Sequence, residues 1–70
     1  MNDAWNVYYK TPEMTRYIPE FRSNGPFDKM FGKFIARLKH QRENPQSYQY
    51  EWILKNSETG EVIPGELIHD

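Results

Sequence analysis

The chain contains no cysteine. No disulfide can staple it, and neither a thiolate metal site nor a cysteine nucleophile is available. Small secreted domains usually rely on such staples, so the absence points to an intracellular, cytoplasmic protein. Long apolar runs are missing too. No stretch approaches the ~20 residues that cross a bilayer, and the opening MNDAWNVYYK lacks the basic-then-apolar order of a signal peptide. An excess of charge is also absent: nine basic residues face ten acidic ones, for a net charge of −1. That balance argues against both a strongly basic nucleic-acid binder and an acidic DNA mimic. The four glycines are scattered, and no phosphate-binding loop, dinucleotide fingerprint or nucleophile elbow can be built from them.

Candidates for chemistry are correspondingly few. His40 and His69 are the two histidines. His40 has Glu43 three residues on, a spacing that on a helix surface more often makes a weak side-chain contact than a metal site. His69 with Asp70 lies in a terminal tail. Ser23, Ser47 and Ser57 fall in predicted loops without an adjacent base. No spacing supports the carboxylates of Glu13 and Glu20 as a catalytic pair, and a domain this small rarely encloses a water-excluding pocket. The sequence therefore predicts a protein that is not an enzyme and uses no metal or cofactor.

What is present is aromatic: two tryptophans, five tyrosines and four phenylalanines in seventy residues. A chain of this length forms one domain, residues 1–70, and buries only about 60% of the surface its unfolded form exposes. Aromatic side chains bury the most area each, so a small core favours them, as do interfaces.

Their placement is periodic. Residues 4–10 alternate, with Trp5, Val7 and Tyr9 on one face and Asn6, Tyr8 and Lys10 on the other. Thr11-Pro12-Glu13 reads as a turn, residues 14–18 as a returning strand, and Pro19 as the limit of an edge strand. Asn24-Gly25-Pro26 supplies helix-start residues. Phe27, Met30, Phe31, Phe34, Ile35 and Leu38 then recur at helical spacing, which predicts one amphipathic helix from about Phe27 to about Glu43. Asn44-Pro45 ends it. Gly32 inside it either allows a close crossing over the sheet or is simply tolerated. Residues 48–56 alternate again, with Tyr48, Tyr50, Trp52 and Leu54 opposite Gln49, Glu51, Ile53 and Lys55. Gly60 suits a turn, residues 61–63 read as a short fourth strand broken by Pro64-Gly65, and residues 66–70 as a loosely ordered tail.

The order β-β-α-β-β predicts an α+β fold: a two-layer domain in which one helix covers one face of an antiparallel sheet. The predicted core is Trp5, Val7, Tyr9, Phe27, Met30, Phe31, Phe34, Ile35, Leu38, Tyr50, Trp52 and Leu54. The second sheet face has no helix left to cover it. Tyr8, Lys10, Tyr17, Glu51, Ile53 and Lys55 are therefore the candidate partner-binding residues, the partner being a second copy or a host protein, through this face or through an edge strand. Lys29, Lys33, Arg37 and His40 form a basic stripe on the helix. It reads either as a solvated face or as a footprint for phosphate or an acidic partner. A nucleic-acid accessory role is the second reading: the stripe would contact phosphate, and Tyr8, Tyr17 and Tyr48 would stack single-stranded bases.

The segment Tyr9-Lys10-Thr11-Pro12-Glu13-Met14-Thr15-Arg16 resembles the opening hairpin of small accessory proteins from bacteriophages and mobile elements. The stretch from Trp52 to Ile63, WILKNSETGEVI, is similar to their closing hairpin. The resemblance covers the two hairpins and implies no catalytic residue. It implies a class of compact proteins that bind one host protein.

Overall fold

The computed structural model describes residues 3–46 and 49–67. In it four strands, β1 (Trp5–Lys10), β2 (Ile18–Pro19), β3 (Glu51–Asn56) and β4 (Val62–Pro64), form one antiparallel sheet in the order β2-β1-β3-β4. The helix α1 (Phe27–Glu43) packs on β1 and β3, and a 3-10 turn, Gly65–Leu67, follows β4. This is the predicted α+β two-layer arrangement.

The two central strands are paired along their full length, from Trp5↔Asn56 to Lys10↔Glu51. Directly opposed residues share a face. Trp5, Val7, Tyr9, Trp52 and Leu54 therefore all point toward α1, as the alternation requires. Val7, Phe34 and Leu54 are fully buried there, with Met30, Trp5 and Trp52 nearly so. Two predicted core residues of the helix fall outside the core cluster: Phe27, at the start of the helix, is exposed, and Ile35 is half-buried. Phe27 instead stacks on Phe31 and meets Trp5 edge-on, closing the open end of the layer. Phe21, absent from the predicted core, packs against it from the loop that precedes α1.

Three local expectations are corrected. The return strand is not residues 14–18 but Ile18–Pro19. Met14 folds back onto Thr11 through its N–H (3.1 Å), so the turn consumes the residues that would have paired. Pro19 lies inside the strand rather than limiting it, opposite Tyr8. The Glu20 N–H donates to Val7 O; by alternation, the nitrogen of Pro19 then faces away from β1, where no donor is needed. Pro64 likewise ends β4 instead of breaking the chain before it, and the first two residues of the expected tail, Glu66 and Leu67, belong with Gly65 to a 3-10 turn. Gly32 has nothing within 4 Å of where a side chain would begin, so it serves no close crossing and is simply tolerated. Tyr48 and residues 68–70 lie outside the described residues.

The helix ends differ in how they are closed. Of the three helix-start residues it is Pro26 that occupies the N-cap, with extended backbone and no side-chain cap. At the other end, Asn44 donates through Nδ2 to His40 O (2.8 Å), satisfying a terminal carbonyl. The β3–β4 turn is held by Asn56, whose Oδ1 accepts the N–H groups of Glu58 (2.8 Å) and Thr59 (3.0 Å). Gly60 completes it at φ +79°, a conformation a side chain would strain.

Gln41 joins the layers. Its Oε1 accepts both the Tyr50 N–H (2.8 Å) and the Trp52 indole N–H (3.0 Å), while its Nε2 donates to Tyr50 O (2.9 Å). One side-chain amide thus takes both backbone groups of Tyr50, as a neighbouring strand would. Gln41→Leu keeps the volume but orphans two donors and one acceptor. We expect a loss of about 1–3 kcal/mol, read as a lower urea midpoint with unchanged m-value; an unchanged midpoint would show that the clamp contributes nothing.

Candidate functional site

The sheet face turned away from α1 has no second layer among the described residues. Register places Pro19, Tyr8, Ile53 and Pro64 in one row across all four strands. Lys10 and Glu51 form the next row on one side, and Asn6, Lys55 and Val62 the next on the other. The six residues expected on this face are thus brought together: five by strand register, and Tyr17 from the bend before β2, whose hydroxyl donates to the Glu51 carboxylate.

Two features differ from an exposed apolar patch. First, Ile53 is only 6% exposed. It lies at the centre of the row between Tyr8 and Pro64, so this single chain already buries most of it. Ile53 is therefore not an open apolar group in the single chain, although it lines the groove beside this face; Val62, at 46% exposure, is the open one. Second, each tyrosine carries a lysine. The Lys55 ammonium lies 5.6 Å from the Tyr8 ring centre, and that of Lys10 lies 5.8 Å from Tyr17. Cation–π contacts of this kind are worth about 0.5–1 kcal/mol when exposed. They hold long side chains flat over the sheet and keep charge at its surface.

Around the end of the sheet, where β4 stops, the face continues into a groove of about 770 Å³. Tyr17, Val62 and Pro64 line its outer side and Leu38, Gln41 and Trp52 its inner side. The lining mixes these aromatic and aliphatic groups with polar and charged ones, Arg42, Gln49, Glu51, Lys55 and Glu66 besides Gln41.

Both sheet edges are blunted. By the same alternation that turns Pro19 outward, Pro64 faces away from β3, because Asn56 N–H already donates to Glu61 O across the β3–β4 pair (2.9 Å). Each edge therefore puts a residue without an N–H where an added strand would seek a donor. Gln41 occupies the backbone of Tyr50 just beyond β4's reach. On the β4 edge the same alternation also turns the Val62 N–H outward, so the prolines limit an added strand there without excluding it.

The helix stripe does not form a row of free cations. Lys33 (4.7 Å) and Arg37 (5.6 Å) both lie over the Phe21 ring, and Arg37 pairs with Glu20 at 3.4 Å. Lys29 and His40 are exposed on the same helix. Glu20 is thereby engaged with Arg37, and no group of three or more metal-ligating side chains occurs among the described residues.

Gln41, Val62 and Phe21 were not singled out by pattern. Gln41 alone carried a signal, since a polar residue three positions after Leu38 falls on the apolar face. No family model, curated protein or solved structure matches the chain.

Proposed function

We propose that this domain is a non-catalytic protein-binding module that holds one protein, a host protein or a second copy, on its outer sheet face. The hairpin resemblance supports placing it among phage or mobile-element accessory proteins that modulate a host protein. The observation that carries the reading is the uncovered face itself. Tyr8 and Tyr17, each under a lysine, flank a buried Ile53, with Val62 and the groove beside them. Tyrosine is enriched at protein interfaces, and charges at a rim guide and select partners. A nucleic-acid role has less support. A lysine ammonium lies 5.6 Å from the Tyr8 ring centre and another 5.8 Å from that of Tyr17, Glu51 stands beside Tyr17, and Arg37 pairs with Glu20.

The test is a double charge reversal, Lys10→Glu with Lys55→Glu. Both residues are half-buried at the surface and form no ion pair among the described residues. The variant should keep its circular dichroism and lose at least about tenfold in partner affinity, about 1.4 kcal/mol. Lys29→Glu with Lys39→Glu, on the helix, should bind like the parent. A parent-like affinity for the outer-face variant would reject this face as the site. A partner that proves to be single-stranded nucleic acid, released steeply by salt, would reject the protein-binding reading.

A further inference from the structure

Asn24-Gly25 forms a second, unrelated feature. Asn24 is exposed, yet its amide is held at both ends. Its Oδ1 accepts from the buried Asn6 Nδ2 (3.0 Å), and its Nδ2 donates to Ser57 Oγ (3.1 Å). Ser57 is anchored in turn by its N–H to Ala4 O (2.9 Å). The Gly25 N–H donates to Trp5 O (2.9 Å), and Gly25 O accepts from the Trp5 N–H (3.1 Å). Gly25 is buried, and a side chain there would begin 2.9 Å from Met30 Cε, the mobile end of that side chain, which would have to move aside. The fold thus sets an asparagine that bridges two loops directly before a residue with no side chain. That is the pair in which the following backbone nitrogen is least shielded from the asparagine side chain.

We infer that Asn24 is a spontaneous modification site, a deamidation site kept closed by these hydrogen bonds. In the reaction, the Gly25 nitrogen loses its proton to solvent base and attacks Asn24 Cγ. The new N–Cγ bond forms as the Cγ–Nδ2 bond breaks, and Nδ2 leaves as ammonia after taking a proton from water. The resulting five-membered succinimide is opened by water at either carbonyl, giving aspartate or isoaspartate with no oxidant or reductant. In the closed loop the Gly25 nitrogen is committed to Trp5 O, and the amide is held by Asn6 and Ser57. Attack therefore requires the loop to open, and its rate follows the open population. The change cannot reverse. Aspartate loses the donor to Ser57, and isoaspartate adds a main-chain atom beside the Trp5–Gly25 bridge. Either product weakens the loop's hold on β1 and exposes the backbone of Trp5.

The other described asparagines are poorer candidates. Asn6 precedes branched Val7, Asn44 precedes Pro45, which has no N–H, and the buried Asn56 side-chain oxygen already accepts two N–H groups.

The purified protein is held in mildly alkaline buffer, digested, and read by mass spectrometry for the one-dalton gain and for isoaspartate. Asn24 should gain it before Asn6, Asn44 or Asn56. Ser57→Ala, an exposed position, should speed the change about threefold while leaving the fold intact, and urea should speed it about tenfold or more. Should Ser57→Ala perturb the fold, Ser57→Thr, which keeps the hydroxyl, should restore the parent rate. Modification of another described asparagine first, or equal rates in the parent, in Ser57→Ala and in urea, would overturn the inference.

Discussion

Ile53→Lys is expected to leave little folded protein at 25 °C. Ile53 is 6% exposed at the centre of the outer row. Substitution forfeits burial worth about 1.5–3 kcal/mol and sets an ammonium between Tyr8, Pro64 and the ammonium of Lys55. A single core in a chain of this length rarely supplies more than about 3–5 kcal/mol, so the loss approaches the whole. Val62→Gln, one row away and 46% exposed, should change stability by less than about 0.5 kcal/mol. Urea denaturation of the pair checks this. Equal midpoints for Ile53→Lys and the parent would show that the outer face does not bury Ile53. A binding defect in Ile53→Lys would accordingly report unfolding rather than a lost contact, which makes the surface lysines the cleaner probes of the site.

Phe34→Ala should be more damaging still. Phe34 is 0% exposed and is the largest of the fully buried side chains, packed between α1 and the Val7–Leu54 pair. Phenylalanine-to-alanine changes in cores cost about 3–5 kcal/mol, the transfer term adding to the cavity. One helix over one sheet provides a single core layer, with no second layer to collapse inward. The expected result is loss of a cooperative thermal transition. Phe27→Ala, at an exposed position on the same helix, should retain one. A cooperative Phe34→Ala transition within a few degrees of the parent would contradict the packing described here.

The parts of the fold that were legible are those with strong periodicity. The apolar face from Phe27 to Leu38 marks the helix, and the alternation around Val7 and Leu54 marks the central strands with the correct faces. Residues 14–18 misled because a two-residue edge strand carries too few positions for alternation, and because Pro19 is tolerated where its nitrogen faces outward. Alternation puts Ile53 on the right face, but its burial depends on neighbours from other strands, Tyr8 and Pro64, which is a tertiary effect. The site was legible as a face and not as a surface: the register gave its members, while the lysine–tyrosine contacts, the Tyr17–Glu51 bond and the pairing of Arg37 with Glu20 join residues far apart in sequence. Asn6 and Asn24 read as a strand residue and a loop residue, and only the fold makes them one network.

Site-specific photocrosslinking tests the central claim most directly. A photoreactive side chain replaces Val62 on the outer face or Lys29 on the exposed helix, and both proteins are irradiated in cells that carry the gene. The account predicts one discrete adduct from position 62, to a single protein or a second copy of this chain, lost when Lys10→Glu and Lys55→Glu are added, and none from position 29. A discrete adduct from position 29 alone, or adducts to nucleic acid from position 62, would contradict it.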